Sequence, residues 1–241
     1  MEFKKNYLQL DKTQGIFFLY SKEEKEGYKK NESSTGKISY RKYFDKGVTG
    51  ELDSVTIYES DFGKQISFSI QDGENHYYAP ISIFNQKGNI DSYAESAIKF
   101  LPQLEKKQNI TLFPYKFTPE GTENTKVGVS FKVSGEKIKP ALTNAYYVKD
   151  GSFVDGDIPA VKWVTKLGKN SPSAASLEAK EDYLFKVLET EVERLTWKTN
   201  SNTPDQPVEK PKSIPTPTAE EAFSSPEPLV YNEEDEDDLP F

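Results

Sequence analysis

Apolar residues recur at every second position along much of this chain, a period that predicts strands with one covered face. Ile66, Phe68 and Ile70 alternate with Gln65, Ser67 and Ser69, and Asp72-Gly73 follows as a hairpin turn signal. Residues 76–84 repeat the pattern. Tyr77, Ala79, Ile81 and Ile83 share an inner face, Tyr78, Ser82 and Phe84 point outward, and Lys87-Gly88-Asn89 breaks the run. Residues 38–44 (ISYRKYF) and 52–58 (LDSVTIY) are β-type runs separated by Gly47 and Gly50; in the second, Val55 and Ile57 pair inward and leave Tyr58 outward. Strands resume at 109–117 (NITLFPYKF) and 126–133 (KVGVSFKV), where Lys126, Ser130 and Lys132 oppose a Val/Phe face.

One segment breaks the period. Across 91–107, Tyr93, Ala97, Phe100, Leu101 and Leu104 fall on one helical face, and Asp91 is placed to cap the N-terminus. The order reads as three strands, a helix and two strands. That is the order of the OB-fold, a five-stranded Greek-key barrel with its helix between strands three and four. Residues 1–140 are therefore expected to be a mainly β, OB-fold-like domain. Residues 141–198 read as a C-terminal elaboration: an irregular hairpin around Tyr146, Tyr147 and Val148, then a helix over 176–197 striped by Leu177, Leu184, Leu188, Val192 and Leu195. That helix is expected to pack on the barrel, with self-association as the alternative. Residues 199–241 carry Pro204, Pro207, Pro211, Pro215, Pro217, Pro226 and Pro228 among Ser, Thr, Glu and Lys, and read as a disordered linker and tail.

Composition narrows the chemistry. Cysteine is absent from the 241 residues, which excludes disulfides, thiol catalysis and thiolate zinc sites and suits a reducing cytoplasm. The opening MEFKKNYLQL lacks the apolar core of a signal peptide, and no stretch approaches the roughly 20 apolar residues of a membrane span. The expected location is the cytoplasm, with no membrane partner. Aromatic residues are 13% of the chain, which suits both a β-rich body and base stacking.

The net charge of −8 argues at first against a polyanionic ligand. Its distribution reverses the argument. Residues 199–241 hold 11 acids and 2 lysines, a net of −9, so the remainder holds 28 acids and 29 bases, a net of +1. A near-neutral body binds nucleic acid if its bases gather on one face. The tail ends EEDEDDLPF, six consecutive acids before a short apolar plug. Such a run cannot enter a core, and it reads as a peptide held out for another surface: an apolar pocket for Leu239 and Phe241, with basic residues around it for the acids.

This ending resembles the tail tip of bacterial single-stranded DNA-binding proteins and of phage proteins with the same role. In those families an acidic segment closes with Asp residues, an aliphatic residue, Pro and a terminal Phe. The matching residues here are Asp237, Asp238, Leu239, Pro240 and Phe241. The resemblance implies binding and protection of single-stranded DNA in replication, recombination or repair. It also implies recruitment of replication proteins, such as polymerase or helicase-primase, through the tip. The body departs from the bacterial family through a lysine-rich insertion in residues 1–36 and the large C-terminal elaboration. That departure favours a phage-encoded protein in the host bacterial cytoplasm and leaves the oligomeric state open.

Holding a single strand without sequence preference takes aromatic faces for bases and Lys or Arg for phosphates. The outward positions nominate Arg41, Lys42, Tyr58, Lys64, Tyr78, Phe84, Lys126 and Lys132, with Phe113 and Tyr115 as further stacking residues. Each aromatic has an alternative role, covering a minor core against the C-terminal piece. Residues 22–37, with five lysines, either track a phosphate backbone or form a plain loop. Catalysis has little to draw on. His76 is the only histidine, Gly36-Lys37 is followed by Ile38 where a P-loop needs Ser or Thr, and Glu59 and Asp61 lack further paired acids. No cofactor, metal or enzymatic activity is expected. The alternative function is an acidic-tailed interaction or assembly protein that binds other proteins through its exposed Tyr/Phe surface.

Overall fold

Turn chemistry sets where the first strands begin and end. Lys4–Asp11 (β1) reverses into Ile16–Ser21 (β2) because Asp11 Oδ1 accepts from the backbone N–H groups of Thr13 and Gln14, and Gly15 adopts a φ of 69°. The tip of this turn lies against the backbone of Tyr115 and Lys116 so closely that a Cβ at Gly15 has no space. The computed structural model describes residues 3–196 apart from 34, 62, 149–151 and 167–168. The chain divides into two units, Met1–Thr199 and Asn200–Phe241. The Pro-rich linker and the tail tip lie outside the described residues, as does Trp197.

The strands continue with Lys29–Glu32 (β3), Ile38–Tyr43 (β4), Val48–Ser60 (β5), Gly63–Asp72 (β6) and Asn75–Ser82 (β7). A helix, Ser92–Ile98 (α1), and a 3-10 turn, Leu101–Gln103, follow. Then come Asn109–Phe117 (β8), Lys126–Val133 (β9) and Glu136–Lys137 (β10), two small hairpins, Tyr146–Tyr147 (β11) with Phe153–Val154 (β12) and Trp163–Lys166 (β13) with Lys169–Pro172 (β14), and the helix Ala174–Thr196 (α2). The protein is mainly β, and its main sheet has ten strands in the order β10-β9-β8-β5-β6-β7-β1-β2-β4-β3. This corrects the expected five-stranded barrel: seven strands, not three, precede α1. The N-terminal segment read as an insertion supplies β1, β2 and β3, and the lysine-rich loop contains β3.

The sheet stays open for a local reason. β7 pairs in the parallel sense with β1, from Lys4↔Asn75 to Tyr7↔Tyr78. The matching edge of β9 is occupied from α1, where Ser96 Oγ accepts from Val129 N–H and donates to the Val129 carbonyl. Gly128 makes that approach possible, since a Cβ there would lie 2.7 Å from Ser96 Oγ and 2.8 Å from the Tyr115 hydroxyl. Pro114 is tolerated in β8 because the pairing of β8 with β5 ends at Leu112, before its missing N–H would be needed.

The core follows the period-two pattern. Ile66, Phe68, Ile70, Ala79, Ile81, Ile83 and Phe131 are buried, with Val55, Leu112 and Val129 beside them. The helix expected over 91–107 is shorter. Asp91 caps it by accepting from Tyr93 N–H, but α1 ends at Ile98, because Pro102 cannot donate to the Ile98 carbonyl and the chain tightens into the 3-10 turn. Phe100, Leu101 and Leu104 are buried nonetheless. α2 adds Leu184, Leu188 and Leu195 to the same core and is tied to it by Lys180 on Glu95 and by Glu181 Oε1, which accepts from Ile90 N–H. Among the described residues no helix is long and apolar enough to cross a membrane.

Candidate functional site

Strand alternation sends one set of side chains on β5, β6 and β7 away from the core. Register aligns them in rows: Tyr58 with Gln65 and Ser82, Thr56 with Ser67 and Pro80, Ser54 with Ser69 and Tyr78. Ser67 and Ser69 are buried, so the middle of this face is a low hydroxyl floor between Tyr58 and Tyr78. Parallel pairing of β1 adds Tyr7 beside Tyr78. Their rings stack at 5.0 Å between centroids and 16° between planes, and Tyr78 stacks in turn on His76 at 4.9 Å. Phe3 meets the His76 ring edge-on. Tyr7 is 66% exposed, so the stack ends in a ring with one open face.

Two grooves flank β1. One, of about 650 Å³, is lined by Lys4, Lys5, Lys25 and Lys42 together with Tyr7, Tyr20 and Tyr28; Glu26 is its single acid. The other, of about 530 Å³, runs past Gln9, Lys12, Tyr58, Gln65 and Ser82. β1 joins them into a track of about 25 Å at the usual strand rise. At its far end Lys12 Nζ meets the Asp91 carboxylate at 2.8 Å. The Tyr58 hydroxyl donates to Gln65 Oε1 at 2.7 Å, and desolvation raises its pKa. Tyr93, close by, is pushed up to about 12 by burial, with the charges of Asp91 and Asp11 adding to it; its hydroxyl has no hydrogen-bond partner. Both tyrosines stay neutral across physiological pH, and in the first groove four lysines stand against one acid.

The nominated residues separate into groups. Tyr58 and Tyr78 lie on this face, and Tyr58 lines the second groove. Lys42 lines the lysine groove, but it pairs with Leu19 on the Leu8 side of the sheet, with Nζ 6.0 Å from the centre of the Phe44 ring. Arg41 is committed elsewhere, lying 4.5 Å over the Phe18 ring and 3.5 Å from Asp11. Phe84 stacks on Phe185 of α2 at 5.5 Å, so its ring serves helix docking. Lys64 is exposed but shares the parity of Ile66, on the opposite side of β6 from Tyr58. Phe113, Tyr115, Lys126 and Lys132 lie on β8 and β9, across β5 from the tyrosine rows. The tip residues Asp237 to Phe241 lie outside the described residues.

Sequence reasoning missed Tyr7, Lys4, Lys5, Lys12, Tyr20 and Tyr28. Leu8 and Leu10 alternating with Tyr7 and Gln9 before an Asp11-to-Gly15 turn was the available signal. The surroundings of His76 bear on catalysis, because Ser69 Oγ lies 2.6 Å and Asp53 Oδ2 3.8 Å from it. Both face the same nitrogen, Nε2, so the imidazole does not bridge acid and hydroxyl as a nucleophilic relay requires. Among the described residues no group of three or more His, Asp or Glu side chains is placed to hold a metal. No protein-family model matches this chain, and no curated protein or solved structure matches it either.

Proposed function

We propose that this protein binds and protects single-stranded DNA, by stacking bases on the Tyr7–Tyr78 face and neutralising phosphates from the lysine groove beside it. The observation that carries the reading is the coincidence of four lysines with an open, stacked tyrosine on one strand-lined track. Sequence-tolerant binding of single strands uses that combination, because every base has a π-face and every linkage a charge. The track length corresponds to on the order of four to seven nucleotides, depending on how far the strand is extended.

Strand order supports the same reading. The five consecutive sheet positions β9-β8-β5-β6-β7, with α1 between the third and fourth of them in chain order, follow the OB sequence of strands. The rows then run across its first three strands, Tyr58 on the first and Tyr78 on the third, and so take in the face of strands two and three that OB-folds use for oligonucleotides. On this reading β1 extends the sheet at the position where a closed barrel would join strands three and five. The acidic tip recruits replication proteins such as polymerase or helicase-primase, and the protein works in the cytoplasm of a bacterial host, phage-encoded, without catalysis or cofactor.

Titration of the full chain with oligo-dT and with duplex DNA tests this. Saturating tyrosine quenching by oligo-dT at a defined site size, weakening as salt rises, is the expected result. Absence of oligo-dT binding in dilute buffer overturns the proposal and leaves the protein-interaction reading of the Tyr/Phe surface.

A further inference from the structure

Among the described residues, seven of the 14 exposed large apolar side chains fall between Tyr146 and Val164. The β13–β14 hairpin carries the most exposed of all, Trp163 at 68%. Trp163 pairs with Pro172 and Lys166 with Lys169 across the hairpin. Residues 158–177 contain Lys162, Lys166 and Lys169 and no acid. An isolated two-stranded hairpin is marginal, yet this one is held at its stem: Ser173 N–H donates to the Lys162 carbonyl at 2.7 Å, and Lys162 N–H to Ser176 Oγ at 3.0 Å.

α2 fixes the hairpin relative to the tyrosine face. Glu181 binds Ile90 N–H, and the next residue, Asp91, holds Lys12 at the end of the second groove. The hairpin stem lies about 10 Å back along α2 from Glu181, at the usual helix rise. A strand leaving the groove at Lys12 therefore has a second aromatic and cationic element within a few nucleotides.

We infer that the β13–β14 hairpin is a second single-strand contact, with Trp163 stacking on a base and Lys162 at its stem drawing the adjoining phosphate. The inference rests on the single-strand reading of the tyrosine face. Charge decides between occupants. A hairpin whose only charged residues are lysines complements a polyanion, whereas two copies of it would bring like charges together.

Trp163 and Trp197 are the only tryptophans, so Trp197→Phe gives a full-length protein with one reporter in the hairpin. Its tryptophan emission is expected to be quenched by long oligo-dT and to stay unchanged with oligonucleotides that fill only the groove. Trp163→Ala weakens binding of long oligo-dT about tenfold, Trp163→Phe restores most of it, and short oligonucleotides bind all three proteins alike. Lys162→Gln lowers the salt slope for long strands alone. Silent Trp163 emission while tyrosine quenching reports binding overturns the hairpin contact and leaves the main reading intact. Loss of all oligo-dT binding by the unsubstituted protein removes both. A Trp163 response to a synthetic peptide of residues 228–241, or to protein concentration alone, with none to oligo-dT, makes the hairpin a protein-docking surface and overturns the inference.

Discussion

Truncating Tyr7 isolates the proposed stacking surface from the fold. The ring is 66% exposed and touches Tyr78 on one face, so Tyr7→Ala opens no core cavity. The folding cost is limited to the ring pair, about 0.5–1.5 kcal/mol. The binding cost follows from the geometry. Only one face of Tyr7 is open, so it accepts one base, and one base on an aromatic platform contributes about 1–3 kcal/mol, roughly 5- to 150-fold in Kd. Tyr7→Phe keeps the platform and is expected to bind like the parent. Tyr78→Ala removes the support beneath Tyr7 and costs more stability, but adds little further loss of binding to Tyr7→Ala, so a double-mutant cycle shows strong coupling. Fluorescence anisotropy of labelled oligo-dT at fixed low salt, with thermal melts of each variant, supplies the numbers. If Tyr7→Ala binds oligo-dT as tightly as the parent while remaining folded, the strand does not stack here and the assignment of this face is wrong.

Three other perturbations have signs fixed by the structure. Lys25→Gln with Lys42→Gln lowers the slope of log affinity against log salt by about 0.7 for each phosphate left without its lysine; an unchanged slope puts the polynucleotide outside that groove. Gly128→Ala places a Cβ against Ser96 Oγ and the Tyr115 hydroxyl, and overpacking of that kind costs about 1–3 kcal/mol; an unaltered Tm refutes the close approach of α1 to β9. Burial works to raise the pKa of Glu95, but Lys99 and Lys180 outweigh it and hold the carboxyl below its usual range. Stability from the ionised group is then fully present above the unfolded carboxylate value of about 4.3 and is lost as pH falls through the lower folded value. Glu95→Gln should flatten that acid limb in pH-dependent denaturant melts, and a variant with the parent's limb contradicts the pairing.

Strand positions were legible because half-buried strands write their burial into a period of two. Asn109–Phe117 and Lys126–Val133 fall where the sequence predicts them, and the stripe of α2 buries Leu184, Leu188 and Leu195. β1 was not legible, and its composition shows why. KKNYLQLD offers two leucines against lysines, Asn, Gln and a solvent-facing Tyr, so as an isolated segment it resembles a polar leader. Its strand character comes from partners, β2 on one side and the parallel edge of β7 on the other. Parallel pairing joins segments far apart in the chain and leaves no local turn signature, so neither the place of β1 in the sheet nor the Lys4–Tyr7 wall of the groove can be read from a window of sequence.

The same limit explains the mixed outcome among the aromatics. Tyr78 and Phe84 share one parity on one outward face, and alternation treats them alike. Their fates differ because different neighbours arrive at the two ends of that run. α2 brings Phe185 against Phe84, and β1 brings Tyr7 against Tyr78. A helix that buries its own apolar stripe takes one face of the first ring, which stays 36% exposed, whereas a strand whose outward residues are Lys5, Tyr7 and Gln9 half-covers the second and carries Lys5 and Tyr7 into a cationic groove. Parity assigns a side chain to a face, but the chemistry of that face is set by whichever element crosses it. Nominating ligand-binding aromatics in a sheet of this kind therefore requires the register of the edge-adding strand, and here that strand supplies the open ring and two of the four lysines of the groove.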